Sequence, residues 1–264
     1  MTTPTESALD QSRRAYIREV PVSRPLEWLA LGWRDLALCP GPALLNGSVL
    51  ALFGAVLLTV ARNEFWWLAG AFSGFLLVAP VLATGLYAVS RARSRGERAG
   101  VGTSLAVWRP RGGRLVAFGL LLALAGTGWV LTSASLITGF ADAPVRNPTD
   151  FLRVVVLRND TLLFESWVLL GGVLAAPMFA SSVVAMPMLL DRKVGVWAAV
   201  LTSWRAVMAN PVPMAVWAGL ILVLTLAGML TALLGLVVVV PLLGHASWHA
   251  YLDLIDASGL PEQP

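Results

Sequence analysis

Two histidines are the residues of this chain whose type and spacing could do chemistry. His245 and His249 are the only two among 264 residues, and both lie in the last apolar stretch, which reads VVVVPLLGHASWHAY. On a helix, residues four apart project from one face, so the two rings could reach a single ion. Because neutral imidazole binds zinc, copper, iron or haem iron, the pair predicts a metal or haem site.

This pair is not a complete site, because zinc prefers four ligands. The further donors are one thiol and several thioethers, and a set of Met and His ligands would favour copper(I) or haem: Cys39, Met178, Met186 and Met188. The alternative interpretation is structural. In it each ring donates a hydrogen bond to a backbone carbonyl or to Ser247, and Trp248 and Tyr251 anchor the helix at the membrane interface.

The composition indicates that these histidines belong to an integral membrane protein. Hydrophobic residues make up 57% of the chain and charged residues 13%, whereas about a quarter of residues are charged in soluble proteins. Several apolar runs approach or exceed the roughly 20 residues that cross a bilayer as a helix. The basic residues lie between these runs, where they orient a membrane protein, so we expect no nucleic-acid binding.

The apolar runs predict an all-α bundle of six transmembrane helices. Four spans are expected over residues 43–61, 65–90, 115–140 and 166–190, and two more between 214 and 251 with a turn near Gly235. A polar arm, 1–25, precedes this transmembrane domain of residues 26–252, and a tail, 253–264, follows it. We expect the arm to be loosely ordered. The loop at 141–164 is expected to contain a surface helix or a short strand.

An internal repeat supports the count of six spans. The dipeptide Trp-Arg occurs at 33/34, 108/109 and 204/205, each time before a span, and Pro-x-Pro follows the first and third copies. The second span of each unit then carries a proline in an apolar setting, namely Pro80, Pro187 or Pro241. We therefore expect three hairpin repeats, each led by an interfacial amphipathic helix.

The helix before the first span has the pattern of a helix that lies in the membrane interface. Its apolar positions recur at helical spacing, while Glu27, Arg34 and Asp35 point elsewhere. The apolar positions are Leu26, Leu29, Ala30, Trp33 and Ala37. A comparable stripe precedes the fifth span: Val196, Trp197, Val200, Leu201, Trp204 and Met208.

The basic residues also predict the orientation of the protein. With the predicted spans, 15 of the 19 lysines and arginines fall on the side of the N-terminus and 4 on the other side. Because positively charged loops stay inside, both termini are expected in the cytoplasm of a bacterium, with the chain in its inner membrane.

The sequence lacks the usual marks of an enzyme. No Asp, Glu, Lys or Arg lies in the middle of a predicted span, and no serine-hydrolase elbow, H-E-x-x-H motif or phosphate-binding glycine loop occurs. We expect a non-enzymatic protein that acts by interaction, as an accessory or assembly partner of a membrane complex or as a homo-oligomer. The alternatives are a metal- or haem-binding protein that uses His245 and His249, and a channel or carrier for a small solute.

Three short motifs resemble an uncharacterised family of bacterial polytopic membrane proteins, recorded as a domain of unknown function. They are Met186–Asp191 (MPMLLD), Asn210-Pro211, and Gly244–His249 (GHASWH). The resemblance covers about residues 25–251. It implies an inner-membrane protein with no assigned activity. Members of the family are sometimes loosely labelled as related to cytochrome oxidase, which implies a connection with haem or copper.

Overall fold

The computed structural model describes residues 7–60, 66, 83–107, 113–158 and 161–263. These residues are mostly helical, so the expected all-α class is confirmed. The chain divides into two compact units. The first comprises Met1–Ala51, Pro80–Phe118 and Phe179–Pro264, and the second comprises Leu52–Ala79 and Gly119–Met178.

The helices are, in chain order, α1 (Ala8–Arg13), α2 (Arg24–Leu38), α3 (Pro40–Val60), α4 (Thr84–Ser94), α5 (Val101–Ala106), α6 (Arg114–Phe140), α7 (Pro148–Phe151), α8 (Leu163–Ser182), α9 (Ala185–Asp191), α10 (Val196–Ala209), α11 (Pro211–Leu230) and α12 (Leu236–Leu254). A π-helical turn, Leu152–Val156, follows α7 directly, so the loop at 141–164 contains a short helix. Two short strands, β1 (Tyr16–Ile17) and β2 (Ile255–Asp256), complete the described elements.

Four stretches of helix in the described part of the chain are long and apolar enough to cross a membrane. They are Pro40–Leu57, Arg114–Phe140, Leu163–Asp191 and Pro211–Leu230. They coincide with the first, third, fourth and fifth predicted spans. Most of the second predicted span lies outside the described residues. The sixth falls on α12, which is helical as expected but is not one of these four stretches.

The arm that precedes the first span is ordered from Ser7 onward, so the prediction of a loosely ordered arm is wrong there. β1 pairs antiparallel with β2, which places Tyr16 opposite Asp256. The side chain of Asn210 accepts a hydrogen bond from the Val20 amide at 2.8 Å and donates one to the Arg18 carbonyl at 3.0 Å. The arm and the tail are therefore joined to each other and to the first unit.

Two amphipathic helices meet the following span at the same kind of corner. A single residue separates α2 from α3 and α10 from α11, and each of these two residues precedes a proline, which disfavours helical backbone. Cys39 has φ −131° and ψ 63°, and Asn210 has φ −129° and ψ 53°. The likeness of the corners agrees with the alignment of the first and third repeats, while the three-hairpin repeat stays a prediction.

The face of α2 that packs inside the protein is not the one that an apolar stripe suggests. Leu26 and Trp33, from the predicted stripe, are 59% and 54% exposed. Trp28, Gly32 and Asp35 are buried instead. In a membrane protein an outward apolar stripe is stable because lipid covers it. Glu27 and Arg34 are exposed as well, so Asp35 alone of the three predicted charged positions packs against the protein.

Gly32 allows α2 and α12 to pack closely. A Cβ atom at Gly32 would lie 2.7 Å from the backbone nitrogen of Ala246 and 2.8 Å from the carbonyl oxygen of Leu242. Because backbone atoms cannot rotate aside, we expect Gly32→Ala to destabilise the protein by about 1–3 kcal/mol through overpacking. Thermal unfolding in detergent measures this. Gly219→Ala in α11, where a Cβ meets no atom within 4 Å, is the matched control; an equal loss in both variants would contradict the prediction.

Candidate functional site

His245 and His249 lie on α12 as predicted, and both belong to one hydrogen-bonded cluster in the first unit. Nδ1 of His245 is 2.8 Å from Oγ of Ser90 on α4. Nε2 of His249 is 2.9 Å from Oδ2 of Asp35 on α2. Ser90 Oγ donates to the same carboxylate oxygen at 2.6 Å, so the two rings are connected through Ser90 and Asp35.

These partners differ from those of the structural alternative, in which each ring bonds Ser247 or a backbone carbonyl. The Ser247 hydroxyl donates to the carbonyl of Leu243 at 2.7 Å. His245 itself is fully buried and bonds Ser90. The histidines are therefore tied to side chains of two other helices rather than to their own helix.

Asp35 is the acceptor that holds this cluster together. In addition to the bonds from Ser90 and His249, its Oδ1 accepts a hydrogen bond from Nε of Arg93 at 3.1 Å. Burial alone raises the pKa of this carboxyl group, but the hydrogen bonds from His249, Ser90 and Arg93 favour the charged form and lower the pKa to about 2. Asp35 is therefore an ionised carboxylate at neutral pH, although it is only 6% exposed.

A second buried carboxylate, Asp191 at the end of α9, organises a similar set of bonds. It accepts from Nε of Arg91 at 3.0 Å, from Nε of Arg192 at 2.9 Å and from the hydroxyl of Tyr251 at 2.9 Å. Nη2 of Arg95 lies 3.4 Å from the same carboxylate. Asp191 is 3% exposed, so its carboxyl group is held inside the protein by several donors.

Helices α4 and α12 each supply donors to both carboxylates. On α4, Ser90 and Arg93 face Asp35 and Arg91 faces Asp191. Arg95, the first residue after this helix, also faces Asp191. On α12, His249 bonds Asp35 and Tyr251 bonds Asp191. We call this set the polar layer: Asp35, Ser90, Arg91, Arg93, Arg95, Asp191, His245, His249 and Tyr251. Three arginines of the basic segment that follows the second predicted span are thus engaged with buried acids.

The tail after α12 closes over the Asp191 side of the polar layer. The backbone amide of Gln263 donates to the Asp191 carbonyl at 2.8 Å, and the amide of Lys193 donates to the Pro261 carbonyl at 2.8 Å. Arg95 also forms an ion pair with Glu262 at 2.8 Å. The tail is therefore an ordered part of the first unit.

The end of α12 is fastened to the start of α2 by a third carboxylate. Asp253 forms an ion pair with Arg24 and accepts a hydrogen bond from the Trp28 indole at 2.9 Å. Burial raises the pKa of Asp253, but the bonds from Arg24 and Trp28 outweigh it and the pKa is lowered. Both ends of the contact between α2 and α12 are therefore charged.

The other predicted metal donors lie on several helices: Cys39 follows α2, Met178 lies on α8, and Met186 and Met188 lie on α9. Sγ of Cys39 accepts a long hydrogen bond from Nη1 of Arg93 at 3.6 Å, which leaves Arg93 between the thiol and Asp35. Met186 and Met188 are fully buried on α9. No group of three or more His, Cys, Asp or Glu residues within the described ranges is arranged to hold a metal ion.

The two carboxylates that accept most hydrogen bonds of the polar layer, which we call its hubs, were not among the candidate residues inferred from sequence. They are Asp35 and Asp191. One signal could have found Asp191, because it follows Pro187 by four residues, as His245 follows Pro241. In both helices a polar residue thus stands one turn after an intrahelical proline, on the same face of the helix. For Asp35 the signal was indirect. Buried histidines need hydrogen-bond partners, so a polar residue elsewhere in the chain had to lie beside them.

Comparison with known proteins finds a family similarity over part of the chain and no activity. A family model described as "Predicted integral membrane protein (DUF2189)" matches residues 67–191. The resemblance to an uncharacterised membrane family is thereby confirmed. Of the three motifs that carried it, Met186–Asp191 lies inside the match, and Asn210-Pro211 and Gly244–His249 lie outside. No curated protein and no solved structure matches the chain.

Proposed function

Because residues 67–191 carry an integral-membrane domain of a family without an assigned activity, we propose that the protein acts by interaction in the bacterial inner membrane. In this proposal it is a non-enzymatic accessory or assembly partner of a membrane complex, or a homo-oligomer. The observation that carries the proposal is the exposure of its spanning helices. Only 17% of the best apolar window of Arg114–Phe140 and of Leu163–Asp191 is buried within the protein. Most of their surface is available to lipid and to other helices.

The exposed face of α6 has the kinds of residue that allow another membrane helix to pack against it. Gly128, Thr132, Ser135 and Gly139 follow one another at helical spacing and are all exposed. The hydroxyl groups of Thr132 and Ser135 already bond carbonyls of their own helix, at 2.7 and 2.8 Å. Such small residues, with their polar groups satisfied, allow close contact between membrane helices.

Site-specific photo-crosslinking in membranes tests the proposal. A crosslinker at Ser135 is expected to give a discrete higher-mass species, whereas one at Leu120, an exposed residue of the same helix, is the matched control. Gly128→Leu should abolish the species because a large side chain blocks close approach. Twice the mass of the chain identifies a homo-oligomer, and another mass identifies a membrane partner. No more product at position 135 than at position 120 would contradict the proposal.

The paired strands support an even number of spans, with both termini on the same side of the membrane. Because β1 from the arm and β2 from the tail bond each other directly, both lie on the same side of the membrane. Four spanning stretches are an even number. Adding both the second and the sixth predicted spans gives six, which is also even. A reporter fused after residue 264 is expected to read cytoplasmic; a periplasmic signal would overturn this topology.

The two alternative functions have less support in the geometry. A single ion bound by both histidines competes with the existing bonds of His249 to Asp35 and of His245 to Ser90. A solute path along the proline-bearing helices competes with close packing, because Pro187 and Pro241 are themselves buried. Metal analysis and a search for a Soret band, each repeated on His245→Ala, test the first alternative.

A further inference from the structure

The hydrogen bonds around Asp35 determine which nitrogen of each histidine carries a proton. An ionised carboxylate can only accept, so Ser90 Oγ at 2.6 Å and His249 Nε2 at 2.9 Å must both donate to it. Ser90 has one proton, and it is directed to Asp35. Its oxygen can therefore only accept at 2.8 Å from Nδ1 of His245. A neutral His245 thus carries its proton on Nδ1, and a neutral His249 carries its proton on Nε2.

This assignment leaves Nε2 of His245 as an unprotonated acceptor inside the protein. His245 is fully buried, and the Nε2 atom has no hydrogen-bond partner among the described residues. Trp248 is 1% exposed, and its indole Nε1 is likewise buried without a partner. Nε2 of His245 is an acceptor, and the indole N–H of Trp248 is a donor. Buried polar atoms nearly always pair with protein atoms or with bound water.

The two atoms belong to neighbouring positions on one face of α12. Residues three apart on a helix are neighbours on its surface, with Cβ atoms about 5–6 Å apart. The indole N–H also bears on the class of ligand, because it favours an acceptor and disfavours a cation. A water-sized molecule that donates to Nε2 and accepts from the indole satisfies both groups.

We propose that His245 Nε2 and the Trp248 indole form a buried site for one small hydrogen-bonding molecule of the size of water. Asp35 and Ser90 are positioning residues of this site, because they hold His245 in the tautomer that presents its lone pair. The arrangement resembles the way in which a carboxylate fixes a functional histidine by bonding its other nitrogen. This site goes beyond the proposed interaction function and does not depend on it.

Selective ¹⁵N labelling tests the site, because the chain has only two histidines. The full chain in lipid nanodiscs, labelled at histidine and tryptophan, is expected to show His245 as the Nδ1–H tautomer and His249 as the Nε2–H tautomer. Magnetisation transfer from water to the Trp248 indole proton is expected in the same sample. His245 with its proton on Nε2, or no water contact at Trp248, would overturn the proposal even without a variant.

Three variants separate positioning from general packing. Ser90→Ala should abolish the single tautomer of His245, because Nδ1–H loses its acceptor. Ser203→Ala is the matched control, since that hydroxyl is equally buried but accepts from the Val184 amide. Trp248→Phe should keep the tautomer and change the ¹⁵N shift of His245 Nε2, because the bridging molecule loses its second partner. An unchanged tautomer in Ser90→Ala, or an equal change in Ser203→Ala, would contradict the role assigned to Ser90.

Discussion

Asp35→Ala is expected to destabilise the protein by about 3–5 kcal/mol, the usual cost of removing one partner from a buried ion pair. The carboxylate accepts from Ser90, Arg93 and His249, and its side chain is only 9% exposed. Without it, Nε of Arg93 and Nε2 of His249 lose the acceptor that they share. Denaturant unfolding in detergent, followed by loss of helical signal, measures the difference.

Two comparisons make this prediction specific to the buried site. Asp10→Ala removes a carboxylate that is exposed near the N-terminus, and it is expected to change stability by less than about 1 kcal/mol. Asp35→Asn keeps the shape of the side chain and removes its charge, so we expect an intermediate loss. If Asp35→Ala were no more destabilising than Asp10→Ala, Asp35 would not hold the polar layer together.

The carboxylate of Asp35 is also expected to make the stability of the protein depend on pH. The native pKa of Asp35 is about 2, below the ordinary value of 3.8. A lowered pKa contributes stability that is present above about pH 4 and is lost as the pH falls towards 2. Asp35→Asn lacks this contribution, so the stability difference between wild type and variant should narrow on acidification through this range. A constant difference between pH 6 and pH 3 would contradict the assignment.

Apolar periodicity was sufficient to predict much of the fold. Four runs of the expected length coincide with helices that can cross a membrane, and Pro40 and Pro211 directly follow the corners at Cys39 and Asn210. These features are local, because run length and proline position act on the residues beside them. The pairing of β1 with β2 is not local. Strands of two residues have no usable periodicity, and these two are separated by almost the whole chain.

The surroundings of Asp35 show why the candidate site could be predicted only in part. The spacing of His245 and His249 correctly placed them on one helix, but their acceptor is 214 residues away from His249 along the chain. A charged position on an amphipathic helix is usually solvated. Here Glu27 and Arg34 are exposed, whereas Asp35 lies on the face of α2 that packs against the protein. Which side is buried therefore depends on α12, and the sequence of α2 alone does not contain that information.

Asp191→Ala is expected to have an effect as large as that of Asp35→Ala, and it should also release the tail. The carboxylate holds Arg91, Arg192 and the Tyr251 hydroxyl at 2.9–3.0 Å. Removing it leaves buried donors unpaired, at a cost of about 3–5 kcal/mol. Arg91 and Arg192 also bond the carbonyls of Gln263 and Leu260 in the tail. Loss of their common acceptor frees both guanidinium groups to move, and the tail loses its anchor.

Hydrogen exchange measured by mass spectrometry separates these two effects. In Asp191→Ala, amides of residues 260–263 should exchange faster, and the global unfolding midpoint should fall. Tyr251→Phe removes one hydrogen bond to the same carboxylate and should cost only about 1 kcal/mol. Glu262→Ala removes an exposed partner of Arg95 and should loosen the tail with little global loss. A fall no larger than that of Tyr251→Phe would mean that the arginines find other acceptors, and that Asp191 is a contact of the polar layer rather than its second hub.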